Sequence, residues 1–130
     1  MRLVYDPQCP MCDAYCRTVR ASGAPAAVEL VSARSASPLM QEITRRGLDI
    51  DQGMVVEADG HLYYGAAAIA ALAAQLGATG VFARLNRWLF GSRQRAALVY
   101  PALRAARNLL LKLLRCPKVN NLARPGNERF

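Results

Sequence analysis

Acidic side chains are scarce in the last third of this 130-residue chain: residues 84–130 hold eleven Lys or Arg against Glu128 alone, a net charge of +10. Residues 1–83 hold six basic and eight acidic side chains, a net −2, so the overall +8 belongs to the tail. The arginines of this basic helical tail read first as a solvated helix face, with an acidic partner or, peripherally, an anionic membrane surface as the candidate contact. Nucleic-acid binding is not expected, because no reader motif accompanies the charge and Trp88, Phe90 and Tyr100 are scattered. Histidine is nearly absent. His61 follows Asp59-Gly60, where it reads as a solvated loop residue rather than the fourth ligand of a zinc site built on Cys9, Cys12 and Cys16 or Cys116.

Strongly apolar runs are lacking too. The longest uncharged stretch, "LYYGAAAIAALAAQLGATGVFA" at 62–83, is mostly alanine and is broken by Gln75, Gly77, Thr79 and Gly80, so a buried helix ending near Gly77 is expected in place of a membrane span. The start, "MRLVYDPQCP", reaches a polar turn after a few apolar positions, which argues against a secretory leader and makes a cytoplasmic, reducing location the expectation. In that setting a close cysteine pair is catalytic or metal-binding more often than structural.

Element by element, "RLVY" at 2–5 is a buried strand closed by Asp6-Pro7. Pro10 suits the first turn of a helix that continues until Gly23 and Pro25. "AVELVS" at 27–32 alternates like a second strand, and "SPLMQEITRRG" at 37–47 reads as a helix with Ser37 as N-cap, Pro38 in the first turn and Gly47 at its end. Two strands near 53–58 and 61–64 flank Asp59-Gly60, a favoured hairpin dipeptide, and "AAAIAALAAQL" follows as a helix. The order β-α-β-α-β-β-α implies an α/β fold, a thioredoxin-like four-stranded mixed sheet with flanking helices, over residues 1–80. Residues 81–130 form a basic helical extension, "GVFARLNRWLF" and "SRQRAALVYPALRAARNLLLKLLRC", with Pro101 kinking or restarting the second helix. On a helical wheel Arg93, Arg104, Arg107 and Arg115 oppose Tyr100, Leu103, Leu110, Leu113 and Leu114, and the segment from Asn120 onward reads as a loosely held terminus.

The chemistry lies in "YDPQCPMCDAYC". Cys9 and Cys12, three residues apart at a helix start, can come within disulfide reach. The helix N-terminus stabilises a thiolate, and such motifs lower a cysteine pKa from about 8.5 to between ~3.5 and ~7.5. Cys9 is therefore expected to attack and Cys12, one turn in and less exposed, to resolve the mixed disulfide. Asp6 either relays a proton to Cys12 or caps the turn before the helix. Cys16 is expected to be buried and Cys116 a spectator. No cofactor beyond the dithiol is required. The alternatives are a metal-binding module, zinc or iron-sulfur, through the cysteine cluster, and a non-catalytic interaction domain with a basic tail.

"YDPQCPMC" resembles the signature of the DCC family of thiol-disulfide oxidoreductases, whose D-x-x-C-x-x-C falls here on Asp6, Cys9 and Cys12. The family's later "dG…y.G..A" segment is similar to "ADGHLYYGAAAI", with Gly60, Tyr64, Gly65 and Ala68 in place. The resemblance spans roughly residues 2–76. It implies a thioredoxin-like fold and exchange with a protein or small thiol or disulfide substrate, and Tyr5, Pro7, Pro10 and Gly65 are candidates for contact near the site. Pro7 stands where family members commonly have glycine, and "DQGMVV" stands where thioredoxins and glutaredoxins place a cis-proline.

Overall fold

A computed structural model describes residues 1–21, 28–75 and 81–130. Its strands are β1 (Arg2–Tyr5), β2 (Glu29–Ser32), β3 (Val55–Ala58) and β4 (His61–Tyr64). The helices are α1 (Pro10–Ala21), α2 (Pro38–Arg45), α3 (Ala66–Gln75), α4 (Val81–Phe90) and α5 (Arg93–Leu113). The sheet order is β2-β1-β3-β4, with β1 parallel to β2 and antiparallel to β3, and β3 antiparallel to β4. This is the thioredoxin-like mixed sheet expected from the element order. The expected helix stop at Gly23 and Pro25 and the helix end near Gly77 lie outside the described residues.

Successive strand residues point to opposite faces, so a strand whose neighbours are both fully buried has cover on both sides. Leu3 and Val4 of β1, and Val55 and Val56 of β3, are such pairs. Leu3 and Val56 join Cys16 and Val19 of α1 and Ala68 and Leu72 of α3 on one face. Val4 and Val55 join Leu39, Met40 and Ile43 of α2 on the other. Ser37 caps α2, its hydroxyl accepting the Met40 amide at 3.2 Å. The hairpin turns on Asp59 (φ 51°) and Gly60 (φ 76°), the paired left-handed backbone for which Asp-Gly is selected.

The alanine content of α3 has a packing cause. A helix that is apolar all round must be covered all round. One side of α3 meets the sheet, and Ile69 and Ala73 on another meet Phe90 of α4 and Ala96 of α5. Among the described residues no helix is long and apolar enough to cross a membrane.

Two expectations about the C-terminal third are corrected. Helix α5 runs without a break from Arg93 to Leu113, with Pro101 inside it, and its inward stripe passes through Ala96, Tyr100, Arg107 and Leu111. Arg107 thus leaves the solvated arginine face, whereas Leu113 and Leu114, placed opposite the arginines on the wheel, are exposed. The segment from Asn120 onward is tied back, not loose. The Asn121 side chain accepts the Ile50 amide at 3.0 Å and donates to the Leu48 carbonyl at 2.9 Å, and Pro117 bridges Arg129. Polar side chains hold this segment, and no apolar periodicity announces them.

Candidate functional site

Cys9 occupies the residue before α1, and Pro10 opens the helix, where its missing N–H costs nothing. The Asp6 carbonyl accepts the Cys9 amide at 3.1 Å, and one oxygen of the Asp6 carboxylate accepts the Gln8 amide at 3.0 Å, folding "DPQC" into a tight turn. Cys9 and Cys12 are disulfide-bonded, their α-carbons 5.2 Å apart. Cys9 Sγ stands where a capping oxygen would, accepting the Cys12 amide N–H at 3.2 Å. Helix N-terminus and sulfur meet as the spacing suggests.

Exposure is the reverse of expectation. Cys9 is fully buried and Cys12 half-buried. In its capping position Cys9 turns its sulfur back over the helix end, whereas Cys12 borders an adjacent cavity.

Asp6 is 4% exposed and held by both ends of the Arg34 guanidinium, at 2.8 and 3.1 Å. The turn-capping role is thus present, and most of the carboxylate's hydrogen-bonding capacity is occupied. Arg34 also donates to the Pro117 carbonyl at 2.7 Å, bringing in the C-terminal segment. Cys116, just before Pro117, is brought in with it: the thiol is free, half-buried and donates to the Gln8 carbonyl at 3.6 Å, so it lies beside the cysteine turn. Cys16 is buried and free, and burial pushes its thiol up to about 12, with Asp13 adding to the shift. His61 is exposed at the hairpin, its ring Nδ1 2.9 Å from the Asp59 carbonyl. Among the described residues no three His, Cys, Asp or Glu side chains converge as a metal-ligand set.

The remaining candidates separate. Tyr5 lines the cavity beside Cys12. Pro7 and Pro10 are exposed on the turn. Gly65 does not line the cavity; with φ +60° it joins β4 to α3, and its amide donates to the Met54 carbonyl at 2.9 Å. The stretch Gln52–Met54, in place of a cis-proline, forms part of the cavity wall, and no cis peptide occurs among the described residues.

One residue in contact with the cysteine pair was not singled out from the sequence. Arg107 of α5 donates from Nε to Cys12 Sγ at 3.3 Å, and through one terminal nitrogen to the Asp51 carbonyl at 2.6 Å and the Asn108 side chain at 3.2 Å. Its guanidinium lies 5.3 Å from the centre of the Phe130 ring. Burial pulls its pKa below the ordinary value, while Asp51 and Asp6 oppose the shift. A single arginine within an otherwise apolar or small-residue stripe was the available signal.

The cavity has a volume of about 290 Å³. It runs from Asp6, Cys12 and Arg107 between the sheet end, α1 and the two C-terminal helices, past Met54, Ile69, Phe82, Leu89 and Tyr100. The thioredoxin-like sheet, with Cys9 and Cys12 paired at the first turn of α1 and a cavity beside them, makes this an α/β domain of thioredoxin-like fold. The family model for DCC1-like thiol-disulfide oxidoreductases matches residues 3–122, and the chain belongs to that family. The match runs beyond residues 2–76, through α4 and α5. No curated protein and no solved structure matches the chain.

Proposed function

We propose that the protein catalyses thiol-disulfide exchange, with Cys9 and Cys12 as its redox couple and no further cofactor. One observation carries the reading: each sulfur has its own N–H donor, the Cys12 amide for Cys9 and the Arg107 guanidinium for Cys12. Either sulfur can therefore be held as a thiolate when the bond opens, which is what a leaving or attacking group requires.

Accessibility assigns the roles. A substrate thiolate attacks Cys12 Sγ, the half-buried sulfur; the Cys9–Cys12 bond breaks and Cys9 leaves as a thiolate onto the helix N-terminus. A second substrate thiolate attacks the substrate sulfur of the mixed disulfide, releasing the substrate disulfide and the Cys12 thiolate beside Arg107. Two electrons pass from two thiols to the protein, and each thiol's proton goes to solvent. In the opposite direction Cys12 attacks a substrate disulfide and Cys9 resolves the intermediate, reversing the roles expected from the motif. Asp6, paired to Arg34, is a positioning residue for the cysteine turn.

Trapping with a chromogenic aromatic disulfide tests both reaction and roles. The reduced wild type turns it over, Cys9→Ser accumulates a stable mixed disulfide on Cys12, and Cys12→Ser reacts slowly because Cys9 is covered. Fast adduct formation on Cys9 in Cys12→Ser overturns the role assignment. A wild type no faster than a free alkyl thiol overturns the reaction.

A further inference from the structure

We infer that the cavity beside Cys12 is the pocket for a small, apolar thiol or disulfide bearing a carbonyl oxygen, with that oxygen accepting a hydrogen bond from Asn86 Nδ2. The inference rests on the exchange chemistry proposed above and adds its substrate class.

Three observations meet here. The cavity, about 290 Å³, has a mostly apolar wall and approaches the range of small-molecule pockets, enough for a ring-sized group. It is bordered by Cys12, so an occupant's sulfur lies beside the half-buried sulfur of the disulfide. Asn86 is the third. This cavity-lining residue of α4 is 3% exposed; its side-chain oxygen accepts the Tyr15 hydroxyl at 3.0 Å, but among the described residues Nδ2 has no partner. A buried donor without an acceptor retains the full cost of its desolvation, and an oxygen on the occupant removes that cost. Tyr15 is fixed in turn, standing one turn beyond Cys12 on α1 and meeting the Phe82 ring edge-on at 5.8 Å. The donor is thus anchored to the helix that carries the reacting sulfur.

Reaction follows the exchange already described. The occupant's sulfur bonds to Cys12, the Cys9–Cys12 bond breaks, Cys9 departs as a thiolate, and a second molecule of the same thiol completes the two-electron transfer.

The test is the rate at which the oxidised, full-length protein is reduced by N-benzyl-2-mercaptoacetamide and by N-(2-hydroxyethyl)-2-mercaptoacetamide, which share a thiol and a carbonyl and differ in the apolar ring. The benzyl compound is expected to react about tenfold faster or more. Leu89→Trp, which fills the cavity, should bring that ratio towards one. The double variant Tyr15→Phe, Asn86→Leu removes the donor without stranding the tyrosine hydroxyl. It should slow the benzyl mercaptoacetamide about fivefold while changing benzyl mercaptan, which lacks the carbonyl, much less. Equal wild-type rates for the two mercaptoacetamides overturn the pocket assignment and leave the exchange chemistry standing. A disulfide that neither compound nor dithiothreitol reduces overturns the underlying reaction instead.

Discussion

Arg107 and Cys12 lie 95 residues apart in the chain, yet the arginine Nε donates to the cysteine sulfur at 3.3 Å. Helix α5 is thereby part of the cysteine site as well as its neighbour. A cation beside a sulfur favours the thiolate over the thiol and over the uncharged disulfide. Arg107→Met is accordingly expected to stabilise the oxidised form, making the reduction potential more negative by about 30 mV, equivalent to about 1.4 kcal/mol for a two-electron couple. Arg107→Lys keeps the charge without the planar fork and should fall between. Equilibration with a dithiol buffer reads both values; an unchanged potential in Arg107→Met removes the arginine from the redox chemistry.

The Asp6–Arg34 pair supports the cysteine turn from the other side. Arg34→Met leaves a buried carboxylate without its counter-ion and is expected to cost about 3 kcal/mol in urea unfolding. Adding Asp6→Asn should recover part of that loss, because the amide carries no charge to strand. Additive losses in the double variant would mean that the two residues act independently.

Cys16 supplies a pH dependence whose sign follows from burial. Its thiol is pushed up to about 12 from an ordinary 9.0, so at alkaline pH the folded chain retains a proton that the unfolded chain has lost. This contribution to stability is complete below about pH 9 and declines as pH rises towards about 12. Urea midpoints at about pH 8 and about pH 10.5 should show the decline in wild type and a smaller one in Cys16→Ala. Cys16 should also resist alkylation in the native protein at the lower pH.

The fully buried Asp51 carboxylate accepts the amides of Val119 and Asn120, at 2.9 and 2.7 Å, and so joins the C-terminal segment to the turn before β3. Asp51→Ala leaves both donors unpaired and is expected to cost about 3 kcal/mol. Trypsin should then cut sooner at Arg115 and Lys118 than in wild type. An unaltered digestion pattern would show that other bonds are sufficient to hold the segment.

Much of this architecture was legible because local rules and global fold agree. "RLVY" before Asp6-Pro7, Ser37-Pro38 before α2 and Asp59-Gly60 in the hairpin each carry their signal within a few residues, and the observed elements follow them. The pairing of Cys9 with Cys12 was legible for the same reason. Exposure of the two sulfurs was not, since spacing on a helix does not say which sulfur turns over the helix end. The contacts of Arg107 and Asn121 were hidden for a different reason. Both act through polar bonds to distant parts of the chain, and such bonds leave no periodicity. Cys116, expected to be a spectator, reaches Gln8 because Arg34, Asp51 and Asn121 draw the tail back.

The central claim is that Cys9 and Cys12 interconvert between dithiol and disulfide as one unit. Its most direct test is equilibration of the full-length protein across graded ratios of reduced to oxidised glutathione, followed by acid quenching, alkylation and peptide mass spectrometry. The account predicts one two-electron transition, a bridge joining Cys9 to Cys12, and Cys16 reduced throughout. A Cys9–Cys12 dithiol that stays reduced at every ratio, or oxidation that bridges other cysteines instead, would contradict it.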